Sequence, residues 1–265
     1  METINDIVKE NNINKKYELT DETKENWGIT LHRIRALRNI PRYGVRSGDL
    51  GGWIEAESNL SQNYDAWVSD DARVYGDAWV GGDAKVYGDA TVYGDARVYG
   101  NARVYGNTRV YGNAVVYGDA RVYGEARVYG NAEVSGNAEV KSIRDYAVFK
   151  NGWSSGRWFT YTRSNRMWRV GCFHGTGEGL IAKAYKDSEL SGKCYEAIVR
   201  AQEAIDRAID EKEGSNEKHE TLADIVREIR QAEVTWHRSE IAQLPTQYLK
   251  EWADRIEAAE ESEVK

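Results

Sequence analysis

The side chains able to do acid–base, nucleophilic or metal chemistry in this chain are few and scattered. Cys172 and His174 stand one residue apart, and a structural zinc needs four ligands at wider spacing. The pair reads as a buried strand cysteine beside a surface histidine. The run GTGEG over 175–179 would offer backbone amides to a phosphate at a helix start. It lacks the Lys-Ser/Thr of a phosphate-binding loop, so Thr176 reads as a helix N-cap. His237 with Glu240 has no zinc-site spacing, and the acids at 71, 77 and 83 do not follow the nonapeptide calcium repeat. No metal and no cofactor are expected. The abundant chemistry is instead arginine beside tyrosine at fixed spacing, a set suited to holding planar anions through charge and cation–π contact. Arg103, Tyr105, Arg121 and Tyr123 stand for that ladder; the alternatives are a strand surface that keeps a repetitive protein soluble, or subunit contacts.

What must position them is a repeat. Valines recur every six residues from Val68 to Val140, each with alanine two places before it, Thr108 alone excepted. The unit V-Y-G-[DN]-A-R puts Ala and Val on one side of an extended chain and Arg and Tyr on the other. Gly and Asp/Asn follow, residues that tolerate positive φ at a corner. A fixed hexapeptide period predicts a parallel β-helix, and the repeat resembles the left-handed hexapeptide β-helix, a resemblance that implies three hexads to a coil of 18 residues. That makes roughly four coils, a column on the order of 20 Å tall. Stacking by 18 sorts the outward side chains into three columns. One holds Lys85, Arg103 and Arg121 with Tyr87, Tyr105 and Tyr123. A second holds Arg73, Thr91, Arg109 and Arg127 with Tyr75, Tyr93, Tyr111 and Tyr129. The third holds Trp79, Arg97, Val115 and Glu133 with Gly81, Tyr99, Tyr117 and Ser135.

The rest of the chain serves the column. Residues 1–59 read as a polar arm followed by a cap, with a strand within 27–37 and a glycine-punctuated turn into another at 47–55. The eight-residue step from Leu60 to Val68 places a two-residue irregularity in the first coil of the 60–141 repeat. Residues 142–190 predict a small α+β module whose strands are DYAVFK, RWFTYTR and RMWRVGCF, before a helix from Thr176. Residues 191–265 predict an acidic helical region. Its stripes are Ile198, Ala201, Ile205 and Ile209; Leu222, Ile225, Ile229 and Ala232; and Leu249, Trp252, Ile256 and Ala259.

Charge places limits on partners. The chain of 265 residues carries a net charge of −7, which argues against general nucleic-acid binding. The last ninety residues hold 21 acids against 13 bases, so the acidity belongs to the C-terminal part. Two cysteines fit a reducing cytoplasm, and no apolar stretch or leader points to a membrane or to export.

The repeats resemble the left-handed hexapeptide β-helix, a superfamily rich in acyltransferases. The segment GDLGGWIE at 48–55, then NLS, DAWV, the V-Y-G-x-A-R repeats and GCFHGT at 171–176 resemble hexapeptide-repeat proteins of bacteriophages and prophages. That resemblance spans roughly residues 17–190 and implies a phage origin, with a transferase label that rests on the repeats alone. Such acyltransferases typically place a histidine base on or beside a loop between coils. This repeat has no inserted loop, and no histidine lies between His32 and His174.

The expectation is therefore a non-enzymatic, homotrimeric interaction protein acting in the host cytoplasm. It would inhibit a host defence protein or sequester a nucleotide signal. A structural virion protein and an acyltransferase are the alternatives. Trp153, Trp158, Arg163, Arg166 and Trp168 are the expected partner-binding residues, because irregular surfaces rich in Trp and Arg concentrate binding energy; the alternative is that they form the core of the small β-module. Trp79, Tyr99, Val115 and Tyr117, on the least charged column, are the expected trimer interface.

Overall fold

The computed structural model describes residues 15–214. The predicted helices at 222–232 and 249–259, His237 with Glu240, and most of the N-terminal arm lie outside them. The chain divides into two compact units, Met1–Ser191 and Gly192–Lys265.

The first unit is mainly β. Strands β1 (Tyr17–Asn26) and β2 (Ile29–Ala36) form an antiparallel hairpin, and β3 (Leu50–Ile54) pairs with β2. From β3 the chain enters a solenoid whose hexads each give one two-residue strand, from β4 (Trp67–Val68) to β16 (Glu139–Val140). The solenoid has about five turns, more than the roughly four expected: one wall alone stacks five strands, and β3 opens another a turn before the valine register begins.

The strand register follows the 18-residue repeat. Arg103 pairs with Lys85 below and Arg121 above, Arg109 with Thr91 and Arg127, and Val115 with Arg97 and Glu133. Each coil hangs from the next through bonds such as Arg103 N to Ala120 O and Tyr105 N to Val122 O, both 2.9 Å. Inside, the Ala and Val rows lose essentially all solvent contact. Thr108, in an alanine slot, donates to the Tyr105 carbonyl at 2.6 Å, so its buried hydroxyl is satisfied.

The regular corners turn on glycine. In each V-Y-G-[DN] corner the glycine is left-handed, as at Gly100 (φ 71°), whereas the following Asp or Asn is not. A Cβ on Gly100 would stand 2.9 Å from Gly118 N of the next coil, so space as well as φ requires glycine. Asp70 takes the glycine place in the first corner (φ 59°) and accepts the Gly88 amide at 3.0 Å.

Both ends of the column are closed by side chains that meet open edge groups. At the N-terminal end Lys16 Nζ donates to Ala66 O at 2.6 Å, and Asn59 donates to Gly76 O and Ala78 O. Tyr17 donates to the Leu60 carbonyl at 2.7 Å. Lys16, placed by sequence in a polar arm, is wholly buried.

The other end is capped by a four-stranded antiparallel sheet: β17 (Tyr146–Lys150), β18 (Trp158–Thr162), β19 (Met167–Val170) and β20 (Phe173–Gly175). Thr160 Oγ1 accepts Glu133 N at 2.9 Å, Ser164 Oγ accepts Glu139 N at 2.7 Å, and Tyr146 donates to Arg127 O at 2.9 Å. One hydroxyl thus serves the last rung of each wall. Four strands stand where sequence suggested three, because Gly171 (φ 54°) reverses the chain inside RMWRVGCF. Helix α1 (Gly177–Asp187) follows, its N-cap Thr176 accepting the Gly179 amide as expected.

Helix α2 (Glu189–Gly214) carries the chain into the second unit. Its buried face is Cys194, Tyr195, Val199, Gln202 and Asp206. The expected stripe of Ile198, Ala201, Ile205 and Ile209 is only half-buried. Gln202 Nε2 donates to Asp206 Oδ1 at 3.0 Å, so part of the buried face is polar.

Candidate functional site

The outward positions of the solenoid make three ladders. Tyrosine rings one coil apart lie nearly parallel: Tyr87–Tyr105–Tyr123 at 4.8 and 5.1 Å, Tyr75–Tyr93–Tyr111–Tyr129 at 5.0 to 5.3 Å, and Tyr99–Tyr117 at 5.1 Å. Strand spacing dictates these distances, and stacking at them is favourable. Burial pushes the Tyr87, Tyr93 and Tyr99 hydroxyls above their ordinary pKa, and the next ring in each stack adds to it. These three hydroxyls stay neutral at cellular pH.

The Arg103 ladder is closed at both ends by the protein's own groups. Lys85 Nζ lies 5.0 Å from the ring centres of both Tyr43 and Tyr87, and the Tyr43 hydroxyl donates to the Asp83 carbonyl. At the other end Glu139 takes Arg121 at 3.4 Å and the Tyr123 hydroxyl at 3.0 Å, while Lys141 lies 5.5 Å from the Tyr123 ring. Of the expected anion residues, Arg121 and Tyr123 are therefore engaged by an acid, and Arg103 and Tyr105 remain facing solvent.

The Arg109 ladder differs. Among the described residues Arg109 and Arg127 make no ion pair. Both border a cavity of about 380 Å³ where the last coils meet the cap, lined also by Asn107, Glu125, Ser142 and Ile143. Sequence sorted these two arginines into a column without marking them, since only the cap at 142–145 distinguishes their rungs.

The Val115 ladder is the least charged, and its aromatic row is completed from below. Gly81 occupies a tyrosine slot, and the Trp79 indole lies across it, 6.2 Å from Tyr99. Trp79 is 37% exposed, and Tyr99, Val115 and Tyr117 are half-buried. Arg169, held by Glu133 at 3.1 Å, covers the Tyr117 ring from above.

The expected partner-binding cluster divides. Trp168 is 2% exposed and packs against Tyr161, Phe149 and Phe159, so it belongs to the sheet's core and leaves the binding set. β-strand alternation points it inward. Trp153 is half-buried with its edge on Phe159, whereas Trp158 is 41% exposed with Lys150 over its face. Arg166 is exposed and left-handed (φ 52°), and Arg163 is half-buried in the same turn. A residue missed by sequence is Trp27, 97% exposed and left-handed at the hairpin tip before Gly28. The dipeptide Trp-Gly between two alternating runs was its signal.

Among the described residues the remaining reactive side chains lie apart from one another. His174 is exposed against the Gly136 corner of the capped end, and His32 lies in β2 at the other, its Nδ1 3.3 Å from Thr20 O. Cys172 is exposed, not buried as expected, because the turn between β19 and β20 carries it outward. Among the described residues there is no metal-binding group of three or more His, Cys, Asp or Glu, and no helix long and apolar enough to cross a membrane.

Comparison with known proteins supports the fold. The family described as YdcK Beta solenoid repeat matches residues 66–82, 84–98, 96–112 and 108–124. No curated protein matches the chain. Its similarity to that repeat family, with the register above, identifies the chain as a β-helix repeat protein.

Proposed function

We propose that this chain is a non-enzymatic interaction protein of phage origin, built on a left-handed β-helix and assembled as a homotrimer. It acts in the host cytoplasm during infection as a counter-defence factor, inhibiting a host defence component or sequestering a nucleotide signal. The observation that carries this reading is the solvent-facing set of ladders. Stacked tyrosines hold their rings in a fixed array beside the arginines, which lowers the ordering cost of binding. Trp158 and Arg166 on the cap, and Trp27 on the hairpin, add exposed groups of the kind that dominate binding energy.

The caps bear on the chief alternative. A fibre shaft would need an end open to continuation, whereas hydroxyls meet the last rung of all three walls. A discrete particle fits this better than a tail shaft. An acyltransferase would need a base near its acceptor, and His32 and His174 are held at opposite ends of the column.

The test is infection of hosts carrying single defence systems, with phage having or lacking the gene. Loss of plating on one defended host alone, with stoichiometric capture of a component of that system, supports the reading. Equal plating on every host, with the chain present in purified virions, overturns it in favour of a structural role. Saturable micromolar binding of coenzyme A would favour the transferase.

A further inference from the structure

We propose that the cavity beside Arg109 and Arg127 binds a small phosphate monoester that also carries hydroxyl groups. Parallel pairing sets the two arginines one coil apart, about 4.8 Å between strands. One phosphate then fits between two guanidinium groups, each able to donate twice. Neither arginine has an ion-pair partner among the described residues, in contrast to Arg121, which Glu139 holds. The rung is fixed from above, because Tyr146 donates to the Arg127 carbonyl at 2.9 Å.

The rest of the lining narrows the ligand. The Asn107 side chain makes no hydrogen bond among the described residues and supplies both a donor and an acceptor. Glu125 makes no ion pair there either, and a carboxylate accepts hydrogen bonds but repels bare phosphate. It therefore selects a ligand whose hydroxyls reach it while the phosphate stays with the arginines. Ile143, 54% exposed, gives an apolar wall. The cavity's volume of about 380 Å³ accommodates a sugar phosphate.

This inference rests on the reading of the chain as a binding protein and moves the anion site from the Arg103 ladder to the Arg109 ladder. The probes are ribose 5-phosphate and inorganic phosphate, titrated into the full-length protein by calorimetry. Arg109→Gln, Arg127→Gln and, as control, Arg103→Gln are surface changes whose folding is checked by melting. Saturable binding of ribose 5-phosphate, at least about tenfold tighter than inorganic phosphate, is expected. Arg109→Gln or Arg127→Gln should weaken it about tenfold or more, with Arg103→Gln unchanged. Glu125→Gln should narrow the gap between the two probes.

Absence of saturable binding at millimolar ribose 5-phosphate overturns the site. So does equal affinity for the two probes, or an equal loss in Arg103→Gln. None of these results touches host-protein capture in the infection test, so the two readings fail separately.

Discussion

The amine of Lys16 meets the carbonyl of Ala66 at 2.6 Å with no exposed surface, under the first rung of one solenoid wall. Burial above all, with the Arg38 charge nearby, lowers its pKa from 10.5 to about 7 against the opposing pull of Asp65 and Asp83. Tyr17, beside it, is raised by its own burial and carries no charge in this range. A group whose positive form is disfavoured in the fold costs stability wherever it is protonated. Below about pH 7 both states hold the proton and the cost is complete. Between about 7 and 10.5 the unfolded chain binds more protons, so stability rises with pH. From pH 7 to 9 the gain is on the order of 2 kcal/mol. Melting across pH 6 to 9 should show that rise, and Lys16→Met should flatten it. A wild-type profile already flat would mean that Lys16 is hydrated.

The interior admits no charge. Val104 is fully buried, with Val86 and Val122 on the rungs below and above. Val104→Asp would bury an unpaired carboxylate at a cost of several kcal/mol, about 3 or more. The expected outcome is insoluble protein or a large fall in Tm. The same change at Arg103, which faces solvent, should leave Tm nearly unaltered.

These two predictions mark what could be read in the sequence. The inward Ala and Val rows follow from period alone, since every hexad repeats one environment, and the 18-residue register and three columns follow from the three-hexad coil that the family resemblance implies. Where the period ends, local pattern failed for particular reasons. Trp168 alternates inward on β19, and composition could not separate it from outward Trp158. Lys16 looks like any polar arm residue until the edge carbonyl of Ala66 is placed beside it. Arg109 and Arg127 match every other arginine of the repeat, and only the cap at Ser142 and Ile143 gives them a cavity.

The corner glycines offer a graded test. Gly100 and Gly106 combine positive φ with a coil stacked 2.9 to 3.1 Å from any added Cβ. Gly130, also left-handed (φ 66°), has open space there. Gly130→Ala should cost only the backbone strain, about 1 kcal/mol, whereas Gly100→Ala should cost visibly more. Denaturant midpoints decide it; equal losses would show that the coils shift apart freely.

Association is expected through the Val115 ladder. Trp79, Tyr99, Val115 and Tyr117 form its least polar strip, and interface cores favour aromatic and apolar groups over charge. Val115→Lys should convert a trimer to monomers in light scattering at micromolar concentration without lowering the monomer's Tm. A wild-type monomer under those conditions, or a trimer indifferent to Val115→Lys, would remove this face from the interface.

The cap decides whether the column can stand alone. Cutting after Val140 strips Thr160, Ser164 and Tyr146 from the last rungs, leaving Glu133 N, Glu139 N and Arg127 O without those partners. Open parallel edges of this kind recruit other edges, so the truncated column should associate end to end at concentrations where the full chain does not. Point changes separate edge capping from simple loss of mass. Thr160→Val and Ser164→Ala each remove one acceptor, at about 1 kcal/mol apiece. The double variant should raise amide exchange at Glu133 and Glu139 first, ahead of the mid-column rungs. Uniform exchange along the column, or a soluble monodisperse truncation, would mean that the hydroxyls are incidental and that coil stacking alone ends the solenoid.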